Sequence, residues 1–115
     1  MSATARTPSR GDVVWISFSP QRGHEERGHR PAVVLSKRSY NERSGLALVC
    51  PVTSRVKGYQ FEVPVKTTTI TGIALADQVR SIDWKVRKAK RIEILDTKTL
   101  RDIARIAATL LTAEE

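Results

Sequence analysis

Cysteine and aromatic side chains are scarce in this chain, and its apolar stretches are short. The single cysteine, Cys50, can form neither an internal disulfide nor a cysteine-based metal cluster, which excludes the disulfide-stapled scaffolds. No apolar run approaches the ~20 residues of a membrane-spanning helix. With aromatic residues at only 5%, a core has to be built from Val, Ile, Leu and Ala. Neither a G-x-x-x-x-G-K-[ST] nor a G-x-G-x-x-G pattern occurs, so no phosphate-cradling nucleotide loop is expected. His24 and His29, beside Glu25 and Glu26, are the only histidines, and no metal site or other cofactor is expected. The first ten residues lack the apolar centre of a secretory signal and read as a short frayed arm. A chain of 115 residues then holds one domain, over 11–115, with the cytoplasm as its expected location and no role for a membrane.

What the chain has is positive charge, a formal net +8. Residues 1–45 contribute +4, residues 46–91 contribute +6, and residues 92–115 contribute −2. The basic surplus therefore belongs to the first 91 residues. It suits a face for a polyanion, although charge alone does not choose among DNA, RNA, an anionic membrane and an acidic protein.

The hydrophobic pattern is mostly of period two. Val13–Phe18 alternates, with Val14, Ile16 and Phe18 on one side and Val13, Trp15 and Ser17 on the other, as in a strand. Residues 21–29 are polar or glycine and predict a flexible loop. Pro31–Leu35 and Leu46–Cys50 are apolar runs suited to buried strands, and Tyr40–Gly45 reads as a turn between them. Gln60–Val65 alternates with Phe61, Val63 and Val65 facing a core, and Pro64 places it at a sheet edge. Ile73–Ala76, Val79–Ile82 and Arg91–Leu95 complete the set. The period changes at the end: Leu100, Ile103, Ile106, Ala107, Leu110 and Leu111 recur at helical spacing. Asp96 is placed to cap that helix, with Arg101, Asp102 and Arg105 on its wet face. The expected fold is α+β and β-rich, a small barrel or strongly curved sheet closed by a C-terminal amphipathic helix.

Four polar clusters could carry chemistry. In the first, His24–Pro31, Pro31 steers Arg30 into extended geometry at the mouth of a strand. Arg30 there is either a surface ion pair or a forked phosphate clamp, and His29 beside it is either a packing residue or a catalyst. In the second, Thr53 and Ser54 end an apolar run just before Arg55, Lys57 and Tyr59; they are turn formers or a hydroxyl pair for a phosphate or a 2′-OH. In the third, Asp77 and Gln78 can read base edges while Arg80 and Ser81 hold a backbone. In the fourth, Lys85–Arg91 crowds basic side chains, including Arg87 and Lys88, into a solvated turn or a polyanion groove.

Gly11-Asp-Val-Val-Trp15, Gly28–Ser36, Pro51-Val-Thr-Ser54 and Leu75–Ile82, with Lys57-Gly-Tyr59 between two of them, resemble the successive motifs of the MazF/PemK toxins. The resemblance runs in order from about Arg10 to the end. It implies an SH3-like β-barrel of the MazF/CcdB kind, a homodimer, and a metal-independent endoribonuclease of a type II toxin–antitoxin system. Such an enzyme is an mRNA interferase: it cuts single-stranded RNA at short sequences, leaves 2′,3′-cyclic phosphate and 5′-OH ends, and arrests translation and growth. An acidic antitoxin of the MazE kind would neutralise it. Carried across by motif, the catalytic Arg falls on Arg30, the catalytic Thr on Thr53, a loop carboxylate on Glu25, and the groove-side Asp-Gln pair on Asp77 and Gln78. The region Lys66–Thr71 departs from relatives and would border the RNA groove.

Metal-free RNA cleavage needs a group to take the 2′-OH proton, one to hold the crowded phosphorane, and one to protonate the leaving 5′-oxygen. Arg30 suits charge stabilisation and is a poor base, because guanidinium stays charged above pH ~12. Thr53 suits a positioning hydrogen bond to the same phosphate. Glu25 is the expected base, with His29 and Ser54 in support. Two rivals stand beside this reading: a gyrase-poisoning toxin of the CcdB kind, and a non-catalytic nucleic-acid-binding module.

Overall fold

A computed structural model describes residues 6–18 and 28–112 of the chain. Its order is β1 (Asp12–Phe18), β2 (Gly28–Val34), α1 (Arg38–Ser44), β3 (Leu46–Thr53), β4 (Glu62–Lys66), β5 (Thr71–Leu75), β6 (Arg80–Asp83), β7 (Lys90–Ile94) and α2 (Thr97–Leu111). The strands join in one curled antiparallel sheet, β4-β5-β3-β2-β1-β7, with β6 paired to β3.

Strand β3 makes the curl. One of its edges runs along β2, from Val49 to Pro51. Its other edge is shared: Leu46–Val49 pairs with β6, and Val52 and Thr53 pair with β5. Pro51, which has no N–H to give, sits at the changeover, where no ladder donor is needed. A bulge on β7, where Ile92 is the extra residue opposite the Val13–Val14 step, bends that strand against β1.

The curl lets the sheet bury both faces, which explains why β1 is apolar on both sides of its alternation. Val13 packs with Val33, Cys50, Val65 and Ile103 in one cluster, while Val14 packs with Ile16, Val34, Val49 and Trp84 in another. Helix α2 covers the first cluster through Ile103, with the half-buried Leu100 and Ile106 packed against it, and Ala107 is buried on the same helix. Asp96 caps it as expected, accepting from the Thr99 backbone N–H at 3.0 Å and the Thr99 hydroxyl at 2.9 Å. The expected apolar face runs out early, since Leu110 and Leu111 are 56% and 82% exposed. Pro64 lies on β4, the terminal strand of the sheet path, as its missing donor requires.

Two expectations change. The segment read as a turn, Tyr40–Gly45, belongs to α1 and its left-handed cap Gly45 (φ 75°). Local composition lost to tertiary bonding. The buried Asn41 donates to Pro8 O at 2.8 Å and Ser36 O at 3.2 Å, and its own backbone carbonyl accepts from Trp84 Nε1 at 2.9 Å. The same bonds alter the picture of the arm. Pro8 is buried, and Ser9 N donates to Asp12 Oδ2 at 2.8 Å, so the arm's last residues lie against the body.

Candidate nucleic-acid interface

Arg30 stands near the start of β2 and Thr53 ends β3, two neighbouring strands. Both line one hollow of about 410 Å³, together with Ser54 and with Thr69, Ile70 and Thr71 from the β4–β5 hairpin. Arg30 is exposed and Thr53 half-buried, which puts a cation and a hydroxyl at one open surface. The Thr53 Oγ1 accepts from Arg55 N at 3.1 Å, fixing the side chain where the strand ends and leaving its O–H to donate elsewhere. The hairpin wall is braced from behind. Thr67 N donates to Ile70 O at 2.7 Å, Ile70 N donates to Thr67 Oγ1 at 2.9 Å, and the Thr67 hydroxyl donates to the Glu93 carboxylate on β7.

Thr53 also lines a second hollow, of about 180 Å³, with Lys57, Tyr59, Phe61, Asp77 and Gln78. The loop that carries Lys57 is held by Glu62, whose carboxylate accepts from Lys57 N at 3.1 Å and Gly58 N at 3.0 Å. Gly58 has φ 85°, a left-handed conformation that favours glycine, and it turns the chain back into β4. Tyr59 and Phe61 stack with ring centroids 5.1 Å apart at 31°. An aromatic pair beside an Asp-Gln pair combines a stacking surface with hydrogen-bonding groups suited to base edges.

The residues expected at a site therefore divide. Arg30, Thr53 and Ser54 come together, and Lys57, Asp77 and Gln78 adjoin them through Thr53. Arg80 and Ser81, on β6, pair with Val49 and Leu48 on β3 and line neither hollow. Arg87 is half-buried in the turn before β7, and Lys88 borders a separate cavity. Glu25 and His24 lie outside the described residues, as does the side chain of His29. Phe61 was expected to face the core by alternation; its half-buried ring reaches the hollow instead. Thr69 and Thr71 were not singled out; they belong to the Lys66–Thr71 region, of which Thr69, Ile70 and Thr71 line the hollow of Arg30 and Thr53. Cys50 is not a nucleophile in this fold: burial, helped by the charge of Asp77 and only partly offset by a backbone hydrogen bond from Val33, pushes its thiol up to about 12.

Among the described residues, no helix is long and apolar enough to cross a membrane. Residues 9–111 match the family described as the PemK-like, MazF-like toxin of type II toxin-antitoxin systems. The endoribonuclease toxin MazF of Escherichia coli K12 is 49% identical over 84 residues, covering 73% of this chain and 76% of that protein. The endoribonuclease PemK of Escherichia coli is 32% identical over 108 residues, covering 90% of this chain and 81% of that protein. The fold superposes on a chain in the crystal structure of MazE-MazF (Form-III) from Deinococcus radiodurans with a TM-score of 0.85 and 41% identity, over 92% of this chain and 97% of that one. A matching signature across nearly the whole chain, two curated relatives above 30% identity and the shared curled sheet all point one way: this chain belongs to the PemK-like, MazF-like toxin family of type II toxin–antitoxin systems.

Proposed function

We propose that this chain is the toxin of such a pair and cleaves single-stranded RNA through the RNA's own 2′-OH, without a metal ion, leaving 2′,3′-cyclic phosphate and 5′-OH ends. The observation that carries the reading is the shared hollow of Arg30 and Thr53. Arg30 neutralises the non-bridging phosphate oxygens as charge builds on the phosphorane, and its fork donates two bonds where an ammonium would offer a point charge. Thr53 donates its hydroxyl to the same phosphate, with Ser54 alongside. Glu25, three residues before β2 in the sequence, takes the 2′-OH proton, and His29 supports the proton transfers. Tyr59 and Phe61 stack a neighbouring base while Asp77 and Gln78 read its edge. Lys57 and the more distant Arg80, Ser81, Arg87 and Lys88 hold flanking phosphates.

The relatives named above as endoribonucleases support this over a gyrase-poisoning protein, and so does a hollow joining a guanidinium to hydroxyls, which gyrase binding would not need. The chain works as a homodimer in the cytoplasm, where an acidic MazE-like antitoxin occupies the same basic surface as RNA and stops cleavage, with message loss arresting translation. The MazE-MazF complex among the structural neighbours supports the antitoxin. The test is incubation of the purified chain with single-stranded RNA in EDTA, followed by analysis of the ends. Discrete cuts bearing cyclic phosphate and 5′-OH ends are expected. RNA left intact across varied sequences and salt concentrations would contradict the proposal, as would linear 3′-OH ends.

A further inference from the structure

A second basic feature lies away from the Arg30–Thr53 hollow and shares no residue with it. It is a cleft of about 730 Å³ whose walls carry Arg6, Arg38, Lys85, Lys88, Lys90 and Arg91. These cations come from separate stretches of chain, namely the N-terminal segment, the start of α1, the turn after β6, and β7. Among the described residues only one carboxylate, Asp12, lines the cleft, and it is already engaged: it is buried, accepts from Ser9 N at 2.8 Å, and lies 3.9 Å from the Arg91 guanidinium. The six cations are exposed at the rim, whereas Pro8, Val14 and Ala89 close the floor. Like charges gathered this closely repel one another, and a bound polyanion relieves that repulsion.

The sheet register fixes where this cleft lies relative to the hollow. Val14 and Ile16 belong to one cluster and so share a face of β1. Arg91 is directly opposite Val14, and Arg30 is directly opposite Ile16. Directly paired residues share a face, so both arginines belong to that side of the sheet. Two strand spacings and two residue rises separate their Cα atoms by roughly 12 Å, a span that a few nucleotides cover.

We propose that this cleft is an exosite for the sugar–phosphate backbone of RNA flanking the cut. The proposal rests on the reading that RNA is the substrate. Among the described residues no aromatic side chain lines the cleft, so they offer no surface for base stacking there, and exposed cations around a closed floor hold phosphates without regard to sequence. Sequence is then read beside Tyr59 and Asp77, while the cleft adds affinity for longer strands. It also gives the N-terminal segment, through Arg6, a place in substrate binding.

The test measures binding of the full chain to single-stranded RNA by fluorescence anisotropy, using RNA with a 2′-deoxy substitution at the cut so that it persists. Strands of about 20 nucleotides and of about 5 nucleotides are compared, over a salt series. Arg38→Gln/Lys90→Gln is expected to lower affinity for the long strand about tenfold and to shift the short strand less than twofold. The slope of log K against log[salt] should shrink by about 1.4 for the long strand, from two lost phosphate contacts at ~0.7 each. Arg101→Gln/Arg105→Gln removes the same charge from the wet face of α2 and should leave the long-strand affinity within twofold. Equal losses from the two double variants, or equal losses for long and short strands, would overturn the exosite. Displacement of long RNA by an acidic peptide in the wild type but not in Arg38→Gln/Lys90→Gln, with RNA affinity equal in both, would assign the cleft to a protein instead. Failure of the wild type to bind RNA of any length would count against RNA as the substrate, a result distinct from all of these.

Discussion

The hydroxyl of Thr67, at the tip of the β4–β5 hairpin, donates to the carboxylate of Glu93 on β7. These strands stand at opposite ends of the sheet path, so this bond helps the sheet curl back on itself. Glu93 also accepts from Thr69 N at 3.3 Å, and Thr69, Ile70 and Thr71 form one wall of the Arg30–Thr53 hollow. Glu93→Ala is expected to cost about 2 kcal/mol of stability, as the loss of a charged acceptor does. It should also raise amide hydrogen exchange at Thr69 and Ile70 and slow RNA cleavage several-fold. Glu93→Gln, which keeps one acceptor oxygen, should fall between. Unchanged exchange at the hairpin tip would show that the wall is held by other contacts.

Gly72 follows that wall on β5, and its place is set by closeness to Thr53. A Cβ at Gly72 would lie 2.6 Å from Thr53 O and 3.1 Å from Val52 Cγ1. The first atom is backbone in the strand that carries the proposed phosphate-holding hydroxyl. Gly72→Ala is therefore expected to destabilise the fold by about 1–3 kcal/mol through overpacking. Cleavage should fall further than stability implies, on the order of a hundredfold, because small displacements of a positioning group are costly. Thermal unfolding and kcat/KM measured on the same preparation check both; a stable variant with full activity would separate Gly72 from the site.

Asn41 joins three parts of the chain. Its amide reaches Pro8 O and Ser36 O, its Oδ1 accepts from Ser36 Oγ at 2.5 Å, and its carbonyl receives the Trp84 indole. Asn41→Leu keeps the last of these and removes the side-chain bonds inside a buried site. A loss of about 3 kcal/mol in urea unfolding is expected, with early release of the N-terminal segment. A loss below about 1 kcal/mol would mean that solvent replaces these bonds.

The Asp96 cap predicts a pH dependence. The Thr99 backbone N–H and the Thr99 hydroxyl hold the Asp96 carboxyl below its ordinary value of 3.8. A pKa lowered on folding stabilises the native state fully above the unfolded value, and this contribution is lost as pH falls through the folded one. Asp96→Ala should cost about 1 kcal/mol at neutral pH, and the gap between variant and wild type should narrow below about pH 4. Urea midpoints across that range provide the check; a gap that widens in acid would contradict the sign.

Most of the fold was legible because its signals are local. The alternation in β4 and the three/four spacing of α2 reflect which faces meet water, and Asp96 and Pro64 mark positions set by their own backbone chemistry. Helix α1 was not legible, because it exists through Asn41 and Trp84, residues far apart in sequence. Of the site, Arg30 and Thr53 were visible as motif residues, and only the pairing of β2 with β3 shows why two such distant residues face one hollow. The Tyr59–Phe61 pair was hidden by alternation that assigned Phe61 to the core. The brace from Glu93 was hidden because nothing near it in the sequence names Thr67. The Lys85–Arg91 run was read as one basic unit, yet the fold places Lys85, Lys88, Lys90 and Arg91 around one cleft and sets Arg87 in the turn, outside that lining.

The central claim is that Arg30 and Thr53 act on the same phosphate, and a double-mutant cycle tests it most directly. Single-turnover cleavage of one defined RNA is measured for the wild type, Arg30→Lys, Thr53→Ala and the double variant. Groups that hold one transition state together are strongly non-additive. Each single change is predicted to slow cleavage on the order of a hundredfold, and the double variant should be little slower than the worse single one. A double variant whose loss equals the product of the two single losses would show that the residues act independently, and would contradict the account.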